Sequence, residues 1–356
     1  MCFRSTASVM PVLMRRKGVY RFSMVKDMAR GHLIKTKVVC IALILCIILF
    51  LLAGCGKKEE VSRIGKKLKV VATLFTLYDF ARNVAGDRAE VSLLLPPGIE
   101  AHSFEPKPKD IMEISSADLF VFTGRYMEPW AEKVLKGVEN KNLIVIDASK
   151  GIELVRSENN GRDQDHHDNN QMQHGGHGHG VYDPHIWLDL SNAQKMVDTI
   201  RDGMVQKDPE NREIYIKNAE IYKKRLDELD RRYKKTLSTC RNHTIIHGGH
   251  FAFNYLARRY NLTYYSAYKT SPNAEPTPKQ VIGLKHRISQ SGIKYIFHEE
   301  LIEPRVAEVL AKETGAQILR LHGAHNISKE DLDRGVTFIS IMEDNLNSLR
   351  KGLECQ

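Results

Sequence analysis

Asn211-Arg-Glu-Ile-Tyr215-Ile-Lys-Asn-Ala219-Glu-Ile-Tyr222-Lys-Lys-Arg-Leu226-Asp-Glu-Leu229-Asp-Arg-Arg-Tyr233-Lys-Lys-Thr-Leu237 is the stretch on which the fold turns. Tyr215, Ala219, Tyr222, Leu226, Leu229 and Tyr233 recur at steps of four, three, four, three and four, which is one apolar stripe on a helix of about seven turns. The opposite face is dense in Lys, Arg, Glu and Asp, so one side of the helix meets solvent. A long amphipathic helix in mid-chain, flanked on both sides by alternating strands and helices, reads as a rigid connector.

Those flanks carry the same rhythm. Before the helix, Leu68–Phe75, Val91–Leu95, Leu119–Phe122 and Leu143–Ile146 read as strands, with helices over Leu77–Ala85, Pro108–Ser116 and Glu128–Lys136. After it, Thr244–Ile246, Leu262–Ser266, Tyr295–Phe297 and Ile318–Leu321 read as strands. Helices follow over Phe251–Tyr260, Lys279–Ser291, Pro304–Thr314 and Thr337–Gly352. Strands alternating with helices at this spacing predict an α/β fold of two lobes, each a mainly parallel sheet flanked by helices. The boundaries are an N-terminal lobe over 68–206, a connecting helix over 207–238 and a C-terminal lobe over 239–356. Each lobe is large enough to bury its own core.

Ahead of the first lobe, Arg30, Lys35 and Lys37 precede an apolar run from Val38 that ends in Leu52-Ala53-Gly54-Cys55. A basic flank, about fifteen apolar residues and small residues before a Cys make an export signal. Residues 1–54 are read as that signal region. Residues 1–23 look unlike a signal's basic end, and Met24 or Met28 would make a more ordinary start. Nine of the 53 basic residues but one of the 43 acids lie in 1–54, so the rest of the chain is close to neutral, at about +2. The formal charge of +10 therefore belongs to the signal and gives no support to a nucleic-acid partner. Leu-Ala-Gly-Cys resembles the lipobox of bacterial lipoproteins, which implies lipidation at Cys55, a stalk over 55–67 and an anchor in the cell membrane. Two cysteines follow, Cys240 and Cys355. They are expected as free thiols, with pairing outside the cell the alternative.

Three histidines stand directly after strands or in short loops, where an α/β sheet places its ligands. His102 lies in Gly98-Ile-Glu-Ala-His102-Ser-Phe-Glu105-Pro-Lys-Pro108, His185 in Asp183-Pro-His185-Ile-Trp187-Leu-Asp189, and His250 in His250-Phe-Ala-Phe-Asn-Tyr255-Leu-Ala. With Ala274-Glu-Pro-Thr-Pro278 and Phe297-His-Glu299, these segments resemble, in order, the metal-binding component of zinc and manganese ABC importers, over about residues 68 to 353. The resemblance implies two α/β lobes joined by one long helix, with the metal in the cleft between them. It implies His102, His185 and His250 as metal ligands. The family's fourth ligand is usually an Asp near the end of a late strand. Here His322 stands about there, with His325 three residues on as the other candidate and water or a carboxylate closing the site otherwise. Glu299 is a candidate to orient an imidazole from behind, as bound histidines usually require.

Three or four neutral imidazoles suit Zn²⁺, whereas Mn²⁺ prefers more oxygen. The resemblance therefore implies a zinc-type lipoprotein, acting as a monomer, that delivers Zn²⁺ to an ABC permease and its ATPase. A manganese-type receptor or a surface adhesin of the same family is the alternative. A zinc hydrolase is disfavoured by the lack of a His-Glu-x-x-His helix or a nucleophile motif. Between Glu158 and Gly180 the chain is mostly polar and cannot support a core, so a disordered insertion is expected. Its His166, His167, His174, His177 and His179 are read as an accessory metal-binding loop.

Overall fold

The computed structural model describes residues 67–157, 182–268, 276–301 and 303–356. Residues 1–66, which include the expected signal region and Cys55, and the whole segment over 158–180 lie outside them. Among the described residues no helix is long and apolar enough to cross a membrane.

Strands β1 (Leu68–Ala72), β2 (Ala89–Leu93), β3 (Leu119–Phe122) and β4 (Ile144–Asp147) form a parallel sheet in the order β2-β1-β3-β4. Strands β5 (Thr244–His247), β6 (Thr263–Ser266), β7 (Tyr295–His298) and β8 (Gln317–Arg320) repeat that arrangement as β6-β5-β7-β8. The first sheet is covered by α1 (Phe75–Ala85), α2 (Pro108–Ser116), α3 (Ala131–Lys136) and α4 (Leu190–Lys207). Helix α5 (Arg212–Leu237) links the lobes. The second sheet carries α6 (Asn254–Arg259), α7 (Pro278–Ser291), α8 (Arg305–Thr314), α9 (Lys329–Asp333) and α10 (Phe338–Gly352). Strand β2 begins two residues before the expected Val91, because its register is set by pairing Ala89–Leu93 against Leu68–Ala72.

Helix α5 runs for 26 residues, or about 39 Å at 1.5 Å per residue. Its buried face is the apolar stripe read from the sequence, with Leu237 and one charged residue, Asp230, added. Strand alternation divides each sheet between two cores. Val70, Ala72 and Ile245 point into a cluster that continues through Trp187, Leu226, Phe253 and Phe338. Val71 and Ile246 point into separate outer clusters under α2 and α3 and under α7 and α8. The inner core is thus shared by both lobes through α5, which the expectation of one core per lobe did not anticipate. Gly203 of α4 makes room for this packing, since a Cβ there would stand 2.2 Å from Ile146.

Arg259 ties the three parts together. Its guanidinium donates to both oxygens of Asp230 on α5, at 2.6 and 2.7 Å, and to Ser191 Oγ at the start of α4, at 2.9 Å. Asp189, which caps α4, lies 3.2 Å from its Nε. A buried carboxylate on the connector is retained because it is paired and hydrogen-bonded.

Cys240 and Cys355 are joined as a disulfide, which corrects the expectation of free thiols. The end of α5 and the end of α10 meet there, an encounter no local pattern encodes. The bridge closes 115 residues of chain, and a loop of that size is worth up to about 5 kcal/mol through the unfolded state. Reduction, or Cys355→Ser, is expected to lower unfolding stability by roughly 2–5 kcal/mol. Denaturant titration with and without reductant measures it, and coincident curves would show that the staple adds nothing.

Candidate metal centre

All the chemistry-bearing side chains gather beyond the carboxyl ends of the strands. In a 2-1-3-4 strand order this is the crevice where connections leave in opposite directions. His102 sits in the loop after β2. The Glu100 carboxylate accepts the backbone N–H groups of His102 and Ser103 at 2.9 and 2.8 Å and so fixes the turn. Lys107 N–H donates to Asp110 at 2.7 Å where that loop enters α2.

His185 precedes a short 3₁₀ turn, Ile186–Leu188, that leads into α4. Asp183 accepts its backbone N–H at 3.0 Å and faces its Nδ1 at 2.7 Å, so Nε2 is turned into the crevice. His250 follows β5 by way of Gly248-Gly249. Glu299, at the end of β7, accepts the His250 N–H at 2.8 Å and pairs with its Nδ1. A Cβ on Gly249 would fall 2.2 Å from Glu299 Oε1, so glycine is what lets the carboxylate reach the ring.

The three rings converge. His185 Nε2 lies 3.1 Å from His102 Nε2 and 3.2 Å from His250 Nε2. Among the described residues, these three form the group of metal-ligating side chains whose ligand atoms all fall within 4.8 Å of one another. A tetrahedral ion with metal–nitrogen bonds of 2.0–2.1 Å spaces its ligands about 3.3 Å apart. The crevice is therefore already close to the dimensions of an ion-bound site.

A further ring, His325, lies beside these three. Its centroid lies 5.8 Å from that of His250 and 6.4 Å from those of His102 and His185. His322, the residue favoured from sequence, faces elsewhere: its backbone bonds both ways with the Asn345 side chain on α10, at 2.7 and 2.8 Å, and its Nδ1 accepts the Ala324 N–H at 3.0 Å. The loop bearing His325 is sewn to the first lobe. Phe75 N–H, Thr76 Oγ1 and Trp187 Nε1 donate to the carbonyls of His325, Ala324 and Gly323 at 3.1, 2.6 and 2.8 Å. Asn326 Nδ2 returns to the carbonyls of Pro96 and Ile99 at 2.9 and 2.6 Å, beside the His102 loop. Ala324 takes a left-handed φ of 59° that these bonds hold in place.

Burial dominates the electrostatics. It pushes the Asp183 carboxyl up to about 7, against the pull of the His185 N–H and the nearby His250 ring. Burial, then the neighbouring rings of His250, His102 and His325, keeps His185 well below the ordinary imidazole range. Burial also lowers His325, with Glu300 opposing. In His250 burial acts the same way, but the Glu299 carboxylate outweighs it and the ring's pKa is raised. His247, buried behind the site against Phe253, is pushed down to about 4 by burial. Neutral imidazoles backed by carboxylates are the donor set a dication requires.

Sequence reading missed the part played by Asp183 and the Glu300 beside the site, and it placed His325 behind His322 as a candidate. The run Glu299-Glu300 directly after a strand was the available signal. The accessory histidines 166, 167, 174, 177 and 179 lie outside the described residues.

Comparison with known proteins places this geometry. The sequence profile of the family described as zinc-uptake complex component A, periplasmic (ZnuA) matches residues 70–352. The chain is 36% identical over 306 residues to the high-affinity zinc uptake system protein ZnuA of Bacillus subtilis, covering 85% of this chain and 94% of the relative. It is 34% identical to the zinc-binding lipoprotein AdcA of Streptococcus pneumoniae, over 85% of this chain but 58% of that longer protein. The crystal structure of the Zn(II)-bound ZnuA-like domain of the same AdcA superposes with a TM-score of 0.67 at 33% identity, covering 81% of this chain and 99% of that domain. Two parallel-sheet lobes on one long helix are thus shared with solved relatives, and the chain belongs to the ZnuA family of extracytoplasmic solute-binding transport components.

Proposed function

We propose that this chain is a zinc receptor outside the cytoplasm, tethered through lipid on Cys55, that captures Zn²⁺ and hands it to an ABC permease driven by its ATPase. The observation that carries the reading is the convergence of three imidazole nitrogens, 3.1 and 3.2 Å apart, in a buried crevice. His102, His185 and His250 hold the ion, and His325 closes the site as the fourth imidazole. All-nitrogen donors favour Zn²⁺ over Mn²⁺. The protein performs no chemistry on what it binds. A metal hydrolase needs a general base beside an open coordination position, whereas Glu299 accepts the His250 N–H and faces its Nδ1, behind the ring rather than beside the ion.

Metal analysis of the chain from Cys55 onward tests this, with Zn²⁺ and Mn²⁺ in competition. One tightly held zinc per chain is expected, and preferential retention of manganese would overturn the reading. The His-rich segment adds weaker sites that raise the local ion concentration. Arg156 and Tyr182 pair as a β-bridge across its two ends, so a short linker can replace it. Deleting 158–180 is expected to remove the weakly bound ions and leave the tight one. Loss of the tight ion on deletion would show that the segment belongs to the centre.

A further inference from the structure

Glu300 lies beside the centre and is used by none of the contacts assigned to it so far. It is buried, at 8% exposure, and its Oε2 accepts the Gly323 N–H at 2.8 Å. Its Oε1 has two imidazole nitrogens nearby, His322 Nδ1 at 3.1 Å and His325 Nδ1 at 4.0 Å. The nearer one is not a donor. It accepts the Ala324 N–H, and a ring nitrogen that accepts has no proton to give. Glu300 Oε1 has the His322 ring as a close charge neighbour, but neither it nor His325 Nδ1 meets a hydrogen-bond geometry, and these two buried atoms are only a small movement apart.

The other rings show what that movement would complete. Asp183 stands behind His185 and Glu299 behind His250, each at the nitrogen turned away from the crevice. His325 has its carboxylate in the same relation but not yet in contact. We propose that Glu300 is the positioning residue of His325: when an ion enters, the ring closes its Nδ1–H onto Glu300 Oε1 and presents Nε2 to the metal. This rests on the reading of His325 as the fourth ligand. A carboxylate ligand would supply donor atom and negative charge in one group. Here the donor is nitrogen and the charge sits one residue behind it, which keeps the ligand set suited to zinc while retaining the counter-charge a dication needs.

The test is a double-mutant cycle on the chain from Cys55 onward, with zinc as the probe and a tight chelator as competitor, so that weakly held ions do not register. Glu300→Ala is expected to weaken tight binding by about 10–100-fold, as loss of a ligand's supporting carboxylate does. His325→Ala should weaken it at least as much, and the double variant no more than His325→Ala alone. Glu300→Gln, which keeps an acceptor oxygen, should recover part of the loss. With Co²⁺ in place of zinc, Glu300→Ala should lose the intense visible bands of a four-coordinate site. Equal losses from Glu300→Ala with and without His325, or an unchanged cobalt spectrum, would overturn the proposal, since Glu300 would then act only on the Gly323 turn. Full affinity in His325→Ala alongside a loss in His185→Ala would reject His325 as a ligand and this proposal with it. Full affinity in His185→Ala would reject the centre itself.

Discussion

Replacing His250 with alanine is expected to abolish tight zinc binding while leaving the chain folded. Four-ligand zinc sites bind with about 10–16 kcal/mol at neutral pH, so one ligand's share of roughly 3 kcal/mol corresponds to at least a 100-fold loss. The fold should survive because the ring sits in a crevice rather than in the shared core, and because α5, Arg259 and the disulfide hold the lobes independently of it. The variant does strand Glu299, whose carboxylate loses its partner at a cost of about 1–3 kcal/mol in the metal-free protein. His102→Ala and His185→Ala should lose zinc likewise. Isothermal titration against a competing chelator reads the constant, and circular dichroism reads the fold. Unchanged affinity and stoichiometry in all three variants would remove the basis for the centre.

Acidification is expected to release the ion, and His250 is the residue whose proton competes first. Its pKa is raised above 6.5 by Glu299 despite burial. In the metal-free protein it therefore holds its proton to higher pH than an ordinary imidazole, and an ion must displace that proton. Affinity should fall about tenfold per pH unit below that pKa from this ring alone. His185 and His325 are shifted the other way and stay neutral to lower pH, so they add little to the slope until the solution is more acid. The limiting slope between pH 6.5 and 5 should accordingly be smaller than the number of imidazole ligands. Glu299→Gln removes the charge that raises His250 and should move the onset of release to lower pH, even though its affinity at pH 8 is reduced. A slope of four, or an onset that Glu299→Gln leaves in place, would contradict this assignment.

Much of the molecule was legible because it is encoded locally. The tyrosine and leucine stripe of α5 is a period in the chain, and period decides which face of a helix is buried. The β-rich runs at Val70, Phe120, Ile245 and Ile296 are short, apolar and bounded by turns, so they could only be covered strands of an α/β sheet. Three histidines each come in a short motif whose neighbours hold the loop or the ring: Glu100 accepts the His102 backbone N–H, the glycines bring His250 to Glu299, and Asp183, whose part was not read, faces the His185 ring.

Other features depend on residues far apart in the chain. Whether His322 or His325 faces the crevice is set by the left-handed turn at Ala324 and by donors from Phe75, Thr76 and Trp187, about 140 to 250 residues earlier. The pairing of Cys240 with Cys355 required the ends of α5 and α10 to meet, and the joining of two lobes into one core required α5 to be packed from both sides. Glu300 reads in sequence as a second acid after a strand, and only its distance to a ring 25 positions later suggests the role proposed for it. The sequence by itself determined the elements, the lobes and three of the rings, because hydrophobic period and turn chemistry act over a few residues. Tertiary structure alone decided which of His322 and His325 lies near the three rings, where Glu300 stands, and the disulfide, because those depend on where separate segments come to rest.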